Sequence, residues 1–154
     1  MSVLEAASFL TKAEKAEVAD AISRAERMTS GELRVHLEDH IEEDVMDHAA
    51  FIFEELGMHR TRDRNGVLLY VAVADRRIAV IGDSGINARV PQGFWNDVVA
   101  LLEGHFKADR RAAGLCAALE RIGTKLSEFF PLKSDDTNEL PNEVSIGDRR
   151  QELT

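Results

Sequence analysis

Val67-Leu-Leu-Tyr-Val-Ala-Val73 is apolar at every position, and after Ala74-Asp-Arg-Arg77 the run resumes as Ile78-Ala-Val-Ile81. A strand apolar on both faces belongs in the middle of a sheet covered on both sides. The short polar break makes the two runs a β-hairpin, although its turn lacks glycine. Just upstream, Asn65-Gly66 marks a turn into the central strand. Further upstream, Glu32-Leu-Arg-Val-His-Leu-Glu38 alternates strictly, with Leu33, Val35 and Leu37 on one face. It reads as a strand with one wet face.

Helical patterns frame these strands. Thr11-Lys-Ala-Glu14 has the form of a capping box, in which hydroxyl and carboxylate satisfy orphan N–H groups. Val18, Ile22, Ala25 and Met28 then recur at helical spacing up to Gly31. A second helix starts at Asp44, lined by Val45, Ala49, Ile52 and Leu56 and closed by Gly57. Gly82-Asp-Ser-Gly-Ile-Asn87 reads as a loop, and Pro91 suits the first turn of a third helix through Phe94, Trp95, Val98, Leu102 and Phe106. A fourth carries Leu115, Leu119, Ile122, Leu126 and Phe130 and stops at Pro131. The predicted order is α-β-α-β-β-α-α, an α/β fold in which helices sandwich a small mixed sheet.

The chain of 154 residues suits one domain, placed over residues 1–132, followed by a polar tail, 133–154, that is partly docked or disordered. Leu140-Pro141, among acidic residues, suits an extended docked segment. Apolar residues at 44% and charged residues at 31% exclude disorder throughout. No apolar run approaches the roughly 20 residues of a membrane span. The start lacks the pattern of a secretory signal, and a single cysteine, Cys116, excludes a disulfide scaffold. The expected compartment is the cytoplasm. With 19 basic against 28 acidic residues the net charge is −9, which argues against nucleic acid as a partner.

A β-α-β connection makes the first two strands parallel, and the hairpin makes the third antiparallel. Thr29-Ser-Gly-Glu32, Asp63-Arg-Asn-Gly66 and Gly82-Asp-Ser-Gly-Ile-Asn87 should therefore meet at one sheet edge, with Asp83 across from about Leu68. Carboxylates, amides and hydroxyls in such turns suit a hard cation such as Ca²⁺. Glycines and a helix start suit phosphate. The candidate metal ligands are Asp83, Asn87, Asn65, Asp63 and Glu32, with Arg64 as a phosphate contact. Ordinary turn chemistry explains the same residues without any ligand.

Other polar residues read more plainly. The run from Glu38 to Asp47 suits a helix start on dipole grounds. Among the five histidines no metal pair stands out, and His36 reads as a surface histidine able to titrate. No Ser-His-acid arrangement can be picked out. Of Phe94 and Trp95, one packs inward and the other covers the Asp83 loop.

Thr-Ser-Gly-Glu-Leu-Arg-Val-His36, Arg-Asn-Gly-Val-Leu-Leu69, Ile-Gly-Asp-Ser-Gly-Ile86, Phe94-Trp95, Phe130-Pro131 and Asn-Glu-Leu-Pro141 together resemble the TPM domain family. The resemblance runs over about residues 5–147 and is strongest to the short, soluble bacterial branch. It implies an α/β/α sandwich around a mixed sheet and a divalent-cation site, usually discussed as calcium. Plant members include a thylakoid acid phosphatase, which implies a phosphatase activity there. Many members have Asp-Asn-Gly before the central strand, whereas this chain has Arg64 at the first position. A guanidinium could hold phosphate but repels a metal ion. Two functions follow as expectations. One is a cytoplasmic domain that binds a divalent cation at the loop edge and acts through contacts with a protein partner. The other is a metal-dependent acid phosphatase acting on phosphomonoesters.

Overall fold

The computed structural model describes residues 5–132 and 144–147. Along the chain run α1 (Ala6–Phe9), α2 (Lys12–Glu26), β1 (Glu32–Glu38), α3 (Val45–Glu55), β2 (Gly66–Ala72), β3 (Arg77–Gly82), α4 (Ser84–Asn87), α5 (Phe94–Lys107), α6 (Arg111–Phe129) and β4 (Ser145–Gly147). A 3₁₀ turn, Met58–Arg60, joins α3 to β2. The seven long elements keep the predicted order, and the fold is the predicted mixed α/β sandwich.

The sheet order is β3-β2-β1-β4. β1 runs parallel to β2, from Glu32 opposite Gly66 to Glu38 opposite Ala72. β3 returns antiparallel, and the glycine-free turn closes because Arg76 takes a left-handed backbone, φ 54°. β2 is buried at all seven positions. Its Val67, Leu69 and Val71 join the core beneath α2, α5 and α6, while Leu68, Tyr70 and Ala72 meet Ala49, Ile52 and Phe53 of α3. Period-2 alternation therefore supplies both helical layers from one strand.

The helices form for the expected local reasons. Thr11 and Glu14 close the capping box at 2.9 and 3.1 Å. Asp44 caps α3 by accepting from the amides of Met46 and Asp47. In the acidic run, Asp44 thus serves as a cap and Asp39 accepts from the Ala6 amide, while Asp75 from the hairpin turn accepts from Ile41 N–H.

Several expectations are corrected. α2 ends at Glu26, so Gly31 is not its stop and Met28 lies 62% exposed. Gly31 instead permits a close approach, since a methyl there would meet Leu126 and the Asn65 carbonyl. Gly82–Asn87 is not all loop, because Asp83 caps the short α4 by accepting from Ser84 N–H. α5 starts at Phe94 behind Gly93, not at Pro91. The Leu140-Pro141 segment lies outside the described residues. Beyond it, Ser145–Gly147 pairs in parallel with His36–Glu38, a strand too short to show a period in sequence.

The largest correction concerns β1. Its polar face is not wet: Glu32, Arg34, His36 and Glu38 are all buried. Alternation identifies which residues share a face, but not whether water reaches that face. His36 is accordingly not a surface histidine.

Candidate functional site

The three predicted turns do converge. The Glu32 amide donates to the Asn65 carbonyl at 3.4 Å, and Gly85 N–H donates to the Arg64 carbonyl at 2.8 Å. Asp83 N–H donates to Gly66 O at 2.9 Å. Leu68 faces Ile81 and Val67 faces Gly82, which puts Asp83 across from Gly66 rather than across from Leu68. Gly85 is required where it stands, because a methyl there would overlap the Asp63 and Arg64 carbonyl oxygens.

Side chains complete the edge. Arg64 holds Asp83 with a two-pronged fork, Nε to Oδ2 at 2.8 Å and Nη2 to Oδ1 at 2.9 Å. Asp83 is only 7% exposed, while the Arg64 side chain is 52% exposed. The hydrogen bonds to Asp83 hold the guanidinium above its ordinary pKa. Arg64 does this from a left-handed backbone, φ 52°, a conformation strained for any residue with a Cβ. Asn87 Oδ1 accepts from Trp95 Nε1 at 2.7 Å, and Phe94 turns inward, as expected of that pair. Asn65 is buried and donates from Nδ2 to Ser30 Oγ at 3.3 Å. Its Oδ1 is buried and has no hydrogen-bond partner among the described residues. Asp63 stays partly exposed, 4.0 Å from Arg62 Nε.

Glu32 stands apart from this group, because its carboxyl meets that of Glu26. Glu26 Oε2 also accepts from Leu33 N–H at 2.8 Å. Burial and the Glu32 carboxyl push Glu26 up to about 9, so the pair keeps a proton at neutral pH. A protonated pair presents less charge than two carboxylates would. Among the described residues no three His, Cys, Asp or Glu side chains come together as a metal-holding group.

A calcium ion needs six to eight oxygen ligands. In the arrangement seen, both Asp83 oxygens serve Arg64 and Asn87 Oδ1 serves Trp95. The guanidinium occupies the carboxylate that a cation would use. With Arg64 on Asp83, Trp95 on Asn87 and Glu32 turned to Glu26, the predicted ligand set is not arranged around a common cation.

A second polar cluster escaped the sequence reading. His36 Nδ1 lies 2.6 Å from Ser145 Oγ, and Nε2 lies 2.9 Å from Glu38 Oε1. A carboxylate only accepts, so Nε2–H donates to Glu38, while the Ser145 hydroxyl has two acceptors in reach, His36 Nδ1 and the Val35 carbonyl at 3.4 Å. The His36 ring stacks on Tyr70 at 5.7 Å, and the Tyr70 hydroxyl meets His48 Nδ1. Serine, histidine and carboxylate do come together, contrary to expectation. Glu38 is fully buried, and a methyl at Gly147 would strike its oxygens. The group therefore fastens β4 to β1. The i, i+2 spacing of His36 and Glu38 was a visible signal, whereas Ser145 carried none.

Comparison with known proteins agrees with the fold. No curated protein matches the sequence. Among solved structures, the chain is similar to the BA42 protein of the psychrophilic bacterium Bizionia argentinensis: 45% identity over 90% of this chain and 96% of that one, with a TM-score of 0.84. The N-terminal domain of a P. gingivalis protein shares the fold at 21% identity, covering 79% of each chain with a TM-score of 0.66. The N-terminal domain of the cg2496 protein of Corynebacterium glutamicum does so at 11% identity, covering 84% of this chain and 81% of that one with a TM-score of 0.62. No helix among the described residues is long and apolar enough to cross a membrane. The TPM domain model matches residues 3–125, and the chain belongs to the TPM domain family.

Proposed function

We propose that this chain is a binding domain that acts through protein contacts, and that its loop edge takes a divalent cation, calcium first, only in exchange for the Arg64 side chain. The Arg64–Asp83 fork carries the reading. It places a built-in cation on a buried carboxylate of the converging turns. Exchange has a physical route, because Arg64 is half exposed and strained in its backbone. Asn65 Oδ1, buried without a hydrogen-bond partner among the described residues, and the partly exposed Asp63 are further oxygens carried by the same turn as Arg64.

The same fork weighs against the phosphatase reading. That chemistry asks Asp83 and Asp63 to hold a metal while Arg64 orients phosphate, and a guanidinium bound to Asp83 at both oxygens is engaged elsewhere. The deciding measurement is the thermal midpoint with and without CaCl₂ or MgCl₂, for wild type and Arg64→Ala. The expected result is a calcium-dependent rise that is larger in Arg64→Ala than in wild type. An equal or smaller rise in Arg64→Ala would refute the exchange. Phosphomonoester turnover by wild type, abolished in a folded Asp83→Ala variant, would make the protein an enzyme.

A further inference from the structure

α3 turns His48, Ala49, Ile52 and Phe53 toward the sheet. Successive residues are about 100° apart around a helix, so Met46, Asp47, Ala50, Phe51 and Glu54 share the outward arc. Met46 is 48% exposed and Phe51 54% exposed. They are two of the five large apolar side chains exposed among the described residues, and they lie on one 11-residue helix. Aromatic residues and methionine are enriched at protein interfaces.

Phe51 is pre-set for contact. Its ring lies against the buried His48 ring at 5.9 Å and 24°. His48 is in turn held by the Tyr70 hydroxyl from β2. A ring already fixed loses little entropy when a partner covers it. Beside it runs an open cleft of about 530 Å³ between α3 and the end of β3, lined by Asp47, Phe51, Glu54, Ile81 and Asp83 among others.

The charge of this surface selects its partner. Asp47 and Glu54 have no ion pair among the described residues. The guanidinium in the cleft lining, Arg64, is already committed to Asp83. An apolar centre with an anionic flank remains. A second copy of the chain would set like charges face to face, and a chain of net charge −9 is repelled by acidic partners and anionic lipid.

We infer that the outer face of α3 and the adjoining cleft dock a basic amphipathic segment of another protein. Its apolar side chains cover Phe51 and Met46, and its Lys or Arg side chains meet Asp47 and Glu54. A basic side chain passing over the Phe51 ring gains a cation–π contact as well. This rests on the reading of the chain as a contact domain and is independent of calcium.

The test is an amide-shift titration of the full chain at physiological ionic strength, where charges beyond about 8 Å are screened. The probes are a short synthetic Leu/Lys amphipathic peptide and the same peptide with Glu for Lys. The Lys peptide should shift residues 46–55 and 81–83, and the Glu peptide should shift nothing. Met46→Ser/Phe51→Ser and Asp47→Asn/Glu54→Gln should each weaken binding about tenfold or more. All four positions are exposed, and unchanged amide shifts elsewhere will show that the variants fold. Three results would overturn the inference: no shift with the Lys peptide, shifts confined to residues 38–44, or unchanged affinity in Met46→Ser/Phe51→Ser. Concentration-dependent shifts without peptide would assign the face to a second copy and also overturn it. The calcium response of Arg64→Ala is read separately, so failure of either proposal leaves the other standing.

Discussion

The loop edge and the polar face of β1 both bring opposite charges or proton-sharing groups together, yet water treats them differently. At the edge, Asp83 is buried but its partner Arg64 is half exposed. On β1, both His36 and Glu38 are closed from solvent, and Glu38 Oε2 has no hydrogen-bond partner among the described residues. An exposed partner can leave and be rehydrated at little cost. A buried one cannot leave without stranding its neighbour in a low-dielectric interior. The edge is therefore suited to exchange, and the strand face to permanence.

The largest test breaks the permanent cluster. Glu38→Ala should lower the unfolding free energy by about 3 kcal/mol, because it leaves the His36 Nε2–H buried without an acceptor and opens a cavity. The urea midpoint measures it. His36→Ala should give a similar loss, and the double variant should fall well short of the sum. Additive losses would show that the two residues do not act as a unit. In each variant, amide shifts of Ser145–Gly147 should move, because His36 holds Ser145 and Glu38 lies against Gly147.

The next test strikes the loop edge at its backbone. Gly85→Ala places a methyl on two carbonyl oxygens, neither of which can rotate aside. The expected loss is about 2 kcal/mol, with the largest amide shifts at residues 63–66. A neutral result would mean that the turns are not in contact in solution.

Much of this edge was legible in the sequence. Asn65-Gly66, Gly82-Asp83 and the strand order required by β-α-β and hairpin connections were enough to bring the three turns together. The fork was not legible, since it depends on Arg64 adopting a left-handed backbone that few non-glycine residues take. Glu32 was misplaced for a similar reason: its partner Glu26 sits at the end of α2, and sequence spacing does not show that helix and strand meet there. The polar face of β1 was the reverse case. Its alternation was plain, but alternation does not say what covers a face. β4 was invisible because three residues, Ser145–Gly147, are too few to declare a strand by pattern.

Glu26 gives the comparison a pH axis. Its carboxyl titrates near 9 in the folded chain and near 4.5 in its unperturbed state. Between those values the folded state holds a proton that the unfolded state has released. The slope of unfolding free energy with pH is then negative. Stability from this group is fully present below about 4.5 and is lost as pH rises through about 9. Glu26→Gln keeps an acceptor for Leu33 N–H and removes the titration, so it should flatten the fall of thermal midpoint between pH 6 and 9. The same slope in variant and wild type would assign the pH dependence to other groups.

The smallest expected effect separates charge from backbone at Arg64. Arg64→Ala loses the fork but keeps a Cβ at φ 52°. Arg64→Gly also loses the fork, while glycine adopts that φ without steric penalty. If the fork is an exchangeable surface partner, Arg64→Gly should sit within roughly 2 °C of wild type, with Arg64→Ala below it. The gap between wild type and Arg64→Ala should narrow in 1 M NaCl, where the screening length falls to about 3 Å. Equal, large losses in both variants, insensitive to salt, would place Arg64–Asp83 with His36–Glu38 as a permanent pair. The cation exchange proposed at the edge would then lose its physical basis, since a guanidinium that cannot be released leaves Asp83 no oxygen to offer.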